Sequence, residues 1–373
     1  MLPCSVRILV APDEFGGTLS AVEAAEAIAA GWRLAAPRDT LDLAPLSDGG
    51  PGFVDVLATA LKDAARRSVT VSDPLGRPVD AAYLLHGATA YVESAQAAGL
   101  SRLAVSERDP KITTSYGVGE LIHAAREAGA ERIVVGLGGS ATNDGGAGML
   151  SALGVTSAGR PLPAGGAALG AVSSIEGWPA FDGVELVAAT DVESPLLGLY
   201  GASAVFGPQK GASREDVHLL DGALSAWAAV VERAAGRPVR DLPGAGAAGG
   251  LGAALLALGA RREPGIALVR DLARLGQRAG KADLVVTGEG TFDFSSLQGK
   301  VVSGVAAAAA DGGLPCLVLA GQVTVGRRET AAAGIDATYA VSDAVGLEAA
   351  LARPAEELAA LAERVAREWS RNV

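Results

Sequence analysis

The sequence contains few of the residues that build disulfide frameworks and zinc sites. Its only cysteines are Cys4 and Cys316, and each lies beside an apolar run that is typical of a strand. This placement predicts two buried free thiols. A disulfide is not expected, because chains that depend on disulfides are usually rich in cysteine. The histidines His86, His123 and His218 are far apart and lack the spacing of metal ligands. We therefore expect neither a zinc site nor a histidine-based catalytic set.

The sequence also lacks basic blocks and long apolar stretches. Its formal net charge is −11, so we expect no nucleic-acid partner and no attraction to an anionic membrane. No apolar stretch reaches the roughly 18 residues of a spanning helix, and the first ten residues do not resemble a secretion signal. These absences predict a cytoplasmic protein with a small-molecule substrate.

The composition that remains favours a two-domain α/β protein. The chain has 373 residues, of which 49% are apolar, 4% are aromatic and 50 are glycine. This length exceeds one core of usual size, so two domains are expected. Short apolar runs alternate with helical patterns near both ends of the chain, as in βαβ units with a parallel sheet.

Five strands predicted near the two ends indicate a flavodoxin-like sheet. Strands are expected at 6–11, 41–44, 282–287, 315–320 and 337–341, and helices at 20–36 and from Pro354 onward. Ser20 and Glu23 have the spacing of a capping box. The sequence thus predicts one flavodoxin-like domain from 1–65 plus 282–373. It predicts a large inserted α/β domain at 66–281, with strands at 132–137 and 184–189 and a helix entered through the glycines of 244–252.

A glycine-rich loop inside the insertion is the strongest local motif. A predicted strand leads into Gly136-Leu-Gly-Gly-Ser-Ala-Thr-Asn-Asp-Gly-Gly-Ala-Gly148 and then a short helix. Such a loop lets backbone N–H groups approach an anion. Two alternatives remain open. One is dinucleotide binding, since the loop fits G-x-G-x-x-A but lacks the acidic residue that normally follows; the other is a purely structural turn, since Asn-Asp-Gly-Gly is good turn chemistry.

Carboxylates and lysines supply the other candidates for phosphate chemistry. The sequence has no G-x-x-x-x-G-K-[ST], so it contains no P-loop for a phosphate. Phosphoryl transfer would then need Mg²⁺ held by carboxylates, together with a basic side chain. The carboxylates that follow strands or lie in glycine turns are Asp13, Asp48, Asp144, Asp191, Glu289 and Asp293. Only five of the 31 basic residues are lysines, and Lys210 and Lys300 lie in glycine-rich motifs, where a compact point charge is favoured over a guanidinium.

The motifs taken together resemble those of the bacterial glycerate kinases. The similar segments run nearly from end to end: Ile8-Leu-Val-Ala-Pro-Asp13, Leu46-Ser-Asp-Gly-Gly50, Asp73-Pro-Leu-Gly76, Val92-Glu-Ser-Ala95, Thr113-Thr-Ser-Tyr-Gly-Val-Gly-Glu-Leu-Ile122, the 136–148 loop, Asp191, Gly201-Ala-Ser-Ala-Val-Phe-Gly-Pro-Gln-Lys-Gly211, 244–252, Thr287-Gly-Glu-Gly290 and Leu297-Gln-Gly-Lys300. The resemblance implies a flavodoxin-like domain with an inserted α/β domain. It also implies a cleft that binds ATP, Mg²⁺ and a three-carbon hydroxy-acid.

The resemblance carries residue roles as expectations. The catalytic candidates are Asp48, Asp144, Asp191 and Lys300, with an aspartate as base or metal ligand. The nucleotide-binding candidates are Gly136, Gly138, Gly139, Ser140, Asn143, Lys210 and Glu289, and the metal-binding candidates are Asp191, Glu289 and Asp293. The sequence is also compatible with a homodimer.

Three positions depart from the pattern of the family. Gly16 stands where a lysine is usual, Pro51 where a glutamate is usual, and Thr291 where an arginine is usual. These changes leave open a kinase of another hydroxy-acid or polyol, and a non-catalytic paralogue that binds a nucleotide or metabolite.

Overall fold

The computed structural model describes residues 5–162, 164–297 and 299–370. The strands are β1 (Arg7–Val10), β2 (Thr40–Leu43), β3 (Ala65–Ser72), β4 (Pro78–His86), β5 (Thr89–Glu93), β6 (Arg132–Gly136), β7 (Thr156–Ser157), β8 (Arg160–Pro161), β9 (Glu185–Ala189), β10 (Arg261–Glu263), β11 (Leu284–Thr287), β12 (Thr291–Phe292), β13 (Cys316–Ala320), β14 (Gln322–Val323) and β15 (Ala337–Ala340). The helices are α1 (Ala21–Ala35), α2 (Phe53–Ala60), α3 (Ala95–Ala98), α4 (Tyr116–Glu127), α5 (Ala147–Ala152), α6 (Ala202–Phe206), α7 (Arg214–Ala235), α8 (Ala247–Ala257), α9 (Gly265–Leu272), α10 (Leu275–Ala279), α11 (Val301–Asp311), α12 (Arg327–Ala332), α13 (Val341–Val345), α14 (Leu347–Ala352) and α15 (Pro354–Trp369).

The chain divides into two compact units. The first unit comprises residues up to 48, 55–62 and from 266 on, and the second comprises 49–54 and 63–265. The first unit therefore includes α10 and most of α9, which the sequence-based limits of 66 and 281 place in the insertion. Arg278 on α10 explains part of this difference, because its guanidinium forms a bidentate ion pair with Asp42 on β2, within the first unit.

The first unit contains a five-stranded parallel sheet in the order β15-β13-β11-β1-β2. Numbered along the chain, these five strands lie in the flavodoxin-like order 2-1-3-4-5, as the sequence predicts. The central strands β1, β11 and β13 are almost entirely apolar and buried, as expected of parallel strands that are covered on both faces.

Helix α1 shows how local signals and packing act together in the first unit. Ser20 and Glu23 form the predicted capping box. The buried face of α1 packs on α15, whose Leu358, Leu361 and Val365 lie in the same apolar core. At the crossing, a Cβ on Gly31 would lie 1.9 Å from the carbonyl oxygen of Ala359, so a glycine is required for this close approach.

The second unit contains a six-stranded mixed sheet in the order β10-β9-β6-β5-β4-β3. Strands β5, β6, β9 and β10 are parallel, and β3 and β4 extend the sheet as an antiparallel edge. The predicted strands at 132–137 and 184–189 correspond to β6 and β9. The hairpin β3–β4 is not predicted from the sequence, because β3 is mostly exposed and only its short stretch around Val69 and Val71 alternates polar and apolar residues.

Three smaller expectations concern the cysteines, the histidines and the membrane. Cys316 is a buried free thiol on β13, whereas Cys4 lies outside the described residues. No group of three or more His, Cys, Asp or Glu residues in the described ranges is arranged to hold a metal ion. Within the same ranges, no helix has the length and apolar character needed to cross a membrane.

Candidate active site

Three carboxylates follow neighbouring strands of the five-stranded sheet. Asp13 comes after β1, Glu289 after β11 and Asp48 after β2, and these three strands are adjacent in the sheet. The backbone N–H of Asp13 donates to the carbonyl oxygen of Gly288 at 2.8 Å, which joins the first two loops. The order of the strands reverses between β1 and β11, where open α/β sheets commonly bind ligands.

Burial and repulsion from neighbouring carboxylates disfavour the charged forms of Asp13 and Glu289. Burial, followed by the repulsion from Asp48, raises the pKa of Asp13 well above its ordinary value. Burial also raises the pKa of Glu289 to about 6, although a hydrogen bond from Ser296 and the charge of Lys300 oppose the shift. A shift of this kind in a group that lies beside other carboxylates is a common property of functional sites.

Asp293 and Lys300 lie in the loop that follows Glu289. The Oδ1 atom of Asp293 accepts hydrogen bonds from the backbone of Ser295 and Ser296 and from the Ser295 hydroxyl, and the Ser295 hydroxyl bond lowers the Asp293 pKa. The exposed Lys300 donates to the Ser295 hydroxyl at 2.9 Å. One oxygen of Asp293 is thus engaged inside its own turn.

The carboxylates of the first unit do not form a three-ligand metal cage within the described residues, but one or two of them would suit a magnesium ion that water and substrate also coordinate. Mg²⁺ is usually held by one or two carboxylates together with water and substrate phosphates, so an all-protein cage is not required. The Oε1 atom of Glu289 is buried and makes no hydrogen bond to any described residue. A divalent cation would satisfy this oxygen and relieve the repulsion among Asp13, Asp48 and Glu289.

The glycine-rich loop of the second unit is mostly buried. Of residues 136–148, only Gly138 and Gly139 reach the surface. The N–H groups of Leu137, Gly138 and Ala141 donate to carbonyl oxygens within the second unit, so those amides are already engaged. The exposed turn Gly138–Gly139 is the part of the predicted phosphate cradle that a ligand could reach, while Gly136 ends the buried strand β6.

Asp144 organises the buried part of this loop. Its carboxylate accepts hydrogen bonds from the N–H and hydroxyl of Ser115, at 2.8 and 2.9 Å, and from the N–H groups of Gly146 and Gly148, both at 3.1 Å. Burial raises the Asp144 pKa, and these hydrogen bonds oppose that shift. The carboxylate of Asp144 therefore occupies the N-terminus of α5, where the sequence predicts a bound anion.

Lys210 holds the same loop from another direction. It lies in the turn that follows α6, and its side chain is fully buried. The Nζ atom donates to the Ser140 hydroxyl at 3.0 Å and to the carbonyl oxygen of Thr142 at 2.6 Å. Burial lowers the pKa of Lys210 to about 7, while the charge of Asp144 opposes this shift.

Further buried contacts fix the neighbouring residues of the loop. The Asn143 amide donates to the hydroxyl of Ser203 on α6 at 2.9 Å, and its Oδ1 atom is buried without a hydrogen-bond partner among the described residues. A Cβ on Gly249 would lie 1.9 Å from the carbonyl oxygen of Thr142. This close approach gives a physical reason for the second glycine run, which enters α8 through left-handed residues.

Two residues that the sequence-based reasoning did not select contribute to this arrangement. Ser115 binds Asp144 and also accepts from the N–H of Met149. Glu93, at the end of β5, accepts from the N–H groups of Gly52 and Val54. Both residues lie in segments that resemble the glycerate kinases, and this resemblance was the sequence signal that could have identified them. Asp191, another predicted site residue, follows β9 and is half-buried.

The three departures from the family pattern lie in exposed or half-buried positions. Gly16 is exposed with a φ of 54°, and Thr291 is exposed on β12. In the second unit, a Cβ on Gly139 would lie 2.6 Å from Cγ of Pro51. The proline ring thus packs on the surface turn of the glycine loop.

The comparison with protein families decides the assignment of this chain. The model described as "Glycerate kinase family" matches residues 8–370. The chain belongs to the glycerate kinase family. The match covers both units, so it includes the carboxylate group of the first unit and the glycine loop of the second.

Curated members of the family and a solved structure extend this similarity. The glycerate kinase of Bacillus subtilis is 43% identical over 99% of this chain and 98% of its own length. The glycerate 2-kinase of Escherichia coli is 42% identical over 91% of this chain and 92% of its own. A crystal structure assigned to glycerate kinase 2 of Salmonella typhimurium LT2 has a TM-score of 0.79, with 41% identity over 98% of both chains. The mixed α/β fold with parallel sheets agrees with this structure.

Proposed function

We propose that this protein transfers the γ-phosphoryl group of ATP to a hydroxyl of glycerate. The observation that carries the proposal is the similarity of nearly the whole chain to glycerate kinases at 42–43% identity. The relative from Escherichia coli is a glycerate 2-kinase, which supports the 2-hydroxyl as the acceptor. The oxygen of this hydroxyl would form a bond to the γ-phosphorus of ATP. At the same time, the bond between the γ-phosphorus and the β–γ bridging oxygen would break, and ADP would leave.

The carboxylates of the first unit are the proposed catalytic group. Glu289 and Asp48 would hold Mg²⁺, which supplies positive charge to the transferring phosphoryl group when it is bound. Asp13 lies beside them, and its raised pKa suits a group that accepts the hydroxyl proton. The exposed Lys300 would neutralise phosphate charge, since its Nζ atom lies on the same loop as Glu289.

The glycine loop of the second unit has a different proposed role. The contacts of Asp144 and Lys210 are internal to that unit, which supports positioning of the loop rather than a direct reaction with substrate. The Gly138–Gly139 turn remains the proposed phosphate contact of the loop, and the half-buried Asp191 remains a candidate base or metal ligand. A kinase of another hydroxy-acid stays the second candidate, because Gly16 and Thr291 remove expected cations.

Replacement of Glu289 tests the proposed catalytic group. Glu289→Gln keeps the volume of the side chain but removes its negative charge. We expect kcat with Mg-ATP and D-glycerate to fall about a hundred-fold or more, the range typical of a lost catalytic group, in an assay that couples ADP release to NADH oxidation. The exposed Glu26→Gln on α1 is the matched control and should retain wild-type activity. Equal activities of the two variants would refute the role of Glu289.

A further inference from the structure

A small pocket lies at the carboxyl edge of the five-stranded sheet. The segments that follow β1, β11, β13 and β15 form its walls, and α14 closes one side. It encloses about 100 Å³, and all of its lining residues belong to the first unit. The carboxyl edge of a parallel sheet is where folds of this order bind their ligands.

The lining of this pocket is uncharged and largely apolar. Phe15, Val341 and Ala350 are buried, whereas Leu347 and Leu351 are 48% and 56% exposed. None of the described lining residues carries an ionisable side chain. A carboxylate or phosphate would find no partner there, so the occupant suited to the pocket is an uncharged, apolar group.

The floor of the pocket is built from backbone. A Cβ on Gly290 would lie 2.8 Å from the backbone nitrogen of Gly16, and a Cβ on Gly321 would lie 2.5 Å from the carbonyl oxygen of Gly290. These close approaches require glycine at both positions, so neither residue contributes a side chain to the pocket. Gln322, which also lines the pocket, carries both a hydrogen-bond donor and an acceptor. Such a side-chain amide can pair with the edge of an adenine ring.

The pocket adjoins the carboxylate group through the chain itself. Gly290 directly follows Glu289, and Phe15 is two residues from Asp13. The N–H of Gly290 donates to the carbonyl oxygen of Glu14, which joins the two loops between the pocket and the carboxylates. An uncharged end of a ligand in the pocket would thus be continuous with an anionic, Mg²⁺-bound end at Glu289.

We propose that this pocket binds the adenine ring of ATP, an assignment that rests on the proposed kinase function. Adenine is flat, uncharged and apolar on both faces, and it is attached to a triphosphate that requires a divalent cation. Glycerate cannot be the occupant, because its carboxylate would lie among Phe15, Leu347 and Leu351 without a cation.

Binding measurements with one ligand that contains adenine and one that lacks it test this assignment. The probes are ADP with Mg²⁺, and inorganic tripolyphosphate with Mg²⁺, which lacks the base. Thr291→Trp fills the pocket from an exposed position, and Leu351→Asp places a charge in its wall. Ala352→Asp is the matched control, because Ala352 is also exposed and does not line the pocket. Isothermal titration calorimetry measures each dissociation constant.

We expect both pocket variants to weaken ADP binding about ten-fold or more, which corresponds to about 1.4 kcal/mol. Tripolyphosphate binding should stay within about two-fold of wild type in every variant, and Ala352→Asp should leave both ligands within the same limit. Circular dichroism verifies that each variant is folded. Unchanged ADP binding in either folded pocket variant would overturn the assignment.

The outcome for the pocket can be separated from the outcome for the kinase function. If glycerate is phosphorylated and the KM for ATP is unchanged in Thr291→Trp and Leu351→Asp, the pocket assignment fails while the function stands. If no phosphorylation occurs but both variants weaken ADP binding, the pocket assignment stands without the function.

Discussion

Asp144 and Lys210 are buried polar residues whose hydrogen bonds organise the glycine-rich loop from inside the second unit. Each is buried in the second unit, and each contacts the loop 136–148 through hydrogen bonds. The sequence identifies both residues by their glycine-rich surroundings. It cannot reveal their partners, because Ser115 lies 29 positions from Asp144 and Thr142 lies 68 positions from Lys210.

The lowered pKa of Lys210 predicts a pH-dependent contribution to stability. The ordinary lysine pKa is 10.5, and burial lowers it to about 7. Between these values the unfolded chain binds a proton at this lysine that the folded chain does not bind, so the free energy of unfolding rises with pH. A neutral amine retains two N–H donors and can keep its bonds to Ser140 and Thr142.

Urea unfolding between pH 7 and pH 10 measures this contribution in Lys210→Met. The variant should be less stable by about 1–3 kcal/mol near pH 10, since the carbonyl of Thr142 loses a buried donor. Its deficit should shrink toward pH 7, because wild type loses the contribution as the pH falls. The exposed Lys62→Met is the control and should follow wild type at every pH. A constant difference between Lys210→Met and wild type would contradict the buried neutral amine.

At the scale of the element, the crossing of α1 and α15 depends on one glycine. A Cβ added at Gly31 would lie 1.9 Å from the carbonyl oxygen of Ala359, whereas a Cβ added at Gly222, inside α7, would lie in open space. An alanine favours a helix interior over glycine by about 0.5–1 kcal/mol. Packing should reverse that preference at Gly31 alone.

Two alanine variants measure this difference by chemical denaturation. Gly31→Ala should lower the free energy of unfolding by about 1–3 kcal/mol, because α15 must move away. Gly222→Ala should raise it by about 0.5–1 kcal/mol. If both variants were equally stabilised, close packing of the two helices at Gly31 would be wrong.

The elements that the sequence predicts best are those whose burial gives a clear pattern. The central strands β1, β11 and β13 are continuous apolar runs, and α15 repeats buried residues at helical spacing. The edge strand β3 gives a weaker signal, since most of its residues are exposed and polar and only Val69 and Val71 alternate with polar residues. Its place in the sheet is determined by its pairing with β4.

At the scale of the whole molecule, a net charge of −11 adds to the repulsion that a triphosphate would meet, so we expect ATP to bind together with the proposed magnesium ion. Like charges would otherwise repel ATP from Asp13, Asp48 and Glu289. The sequence predicts the family and the strand order from patterns that extend along the chain. The three-carboxylate grouping required the fold, because Glu289 lies 241 residues after Asp48 and the strand order brings their loops to one edge.

Phosphorus NMR of a reaction that contains the purified protein, D-glycerate, ATP and Mg²⁺ gives the decisive observation. We expect the γ-phosphate resonance of ATP to decline while ADP and one phosphomonoester appear, with 2-phosphoglycerate as the monoester. The monoester should be absent when D-glycerate or Mg²⁺ is omitted. A reaction with protein at the concentration of substrate that yields no phosphoglycerate would contradict the proposed glycerate kinase activity.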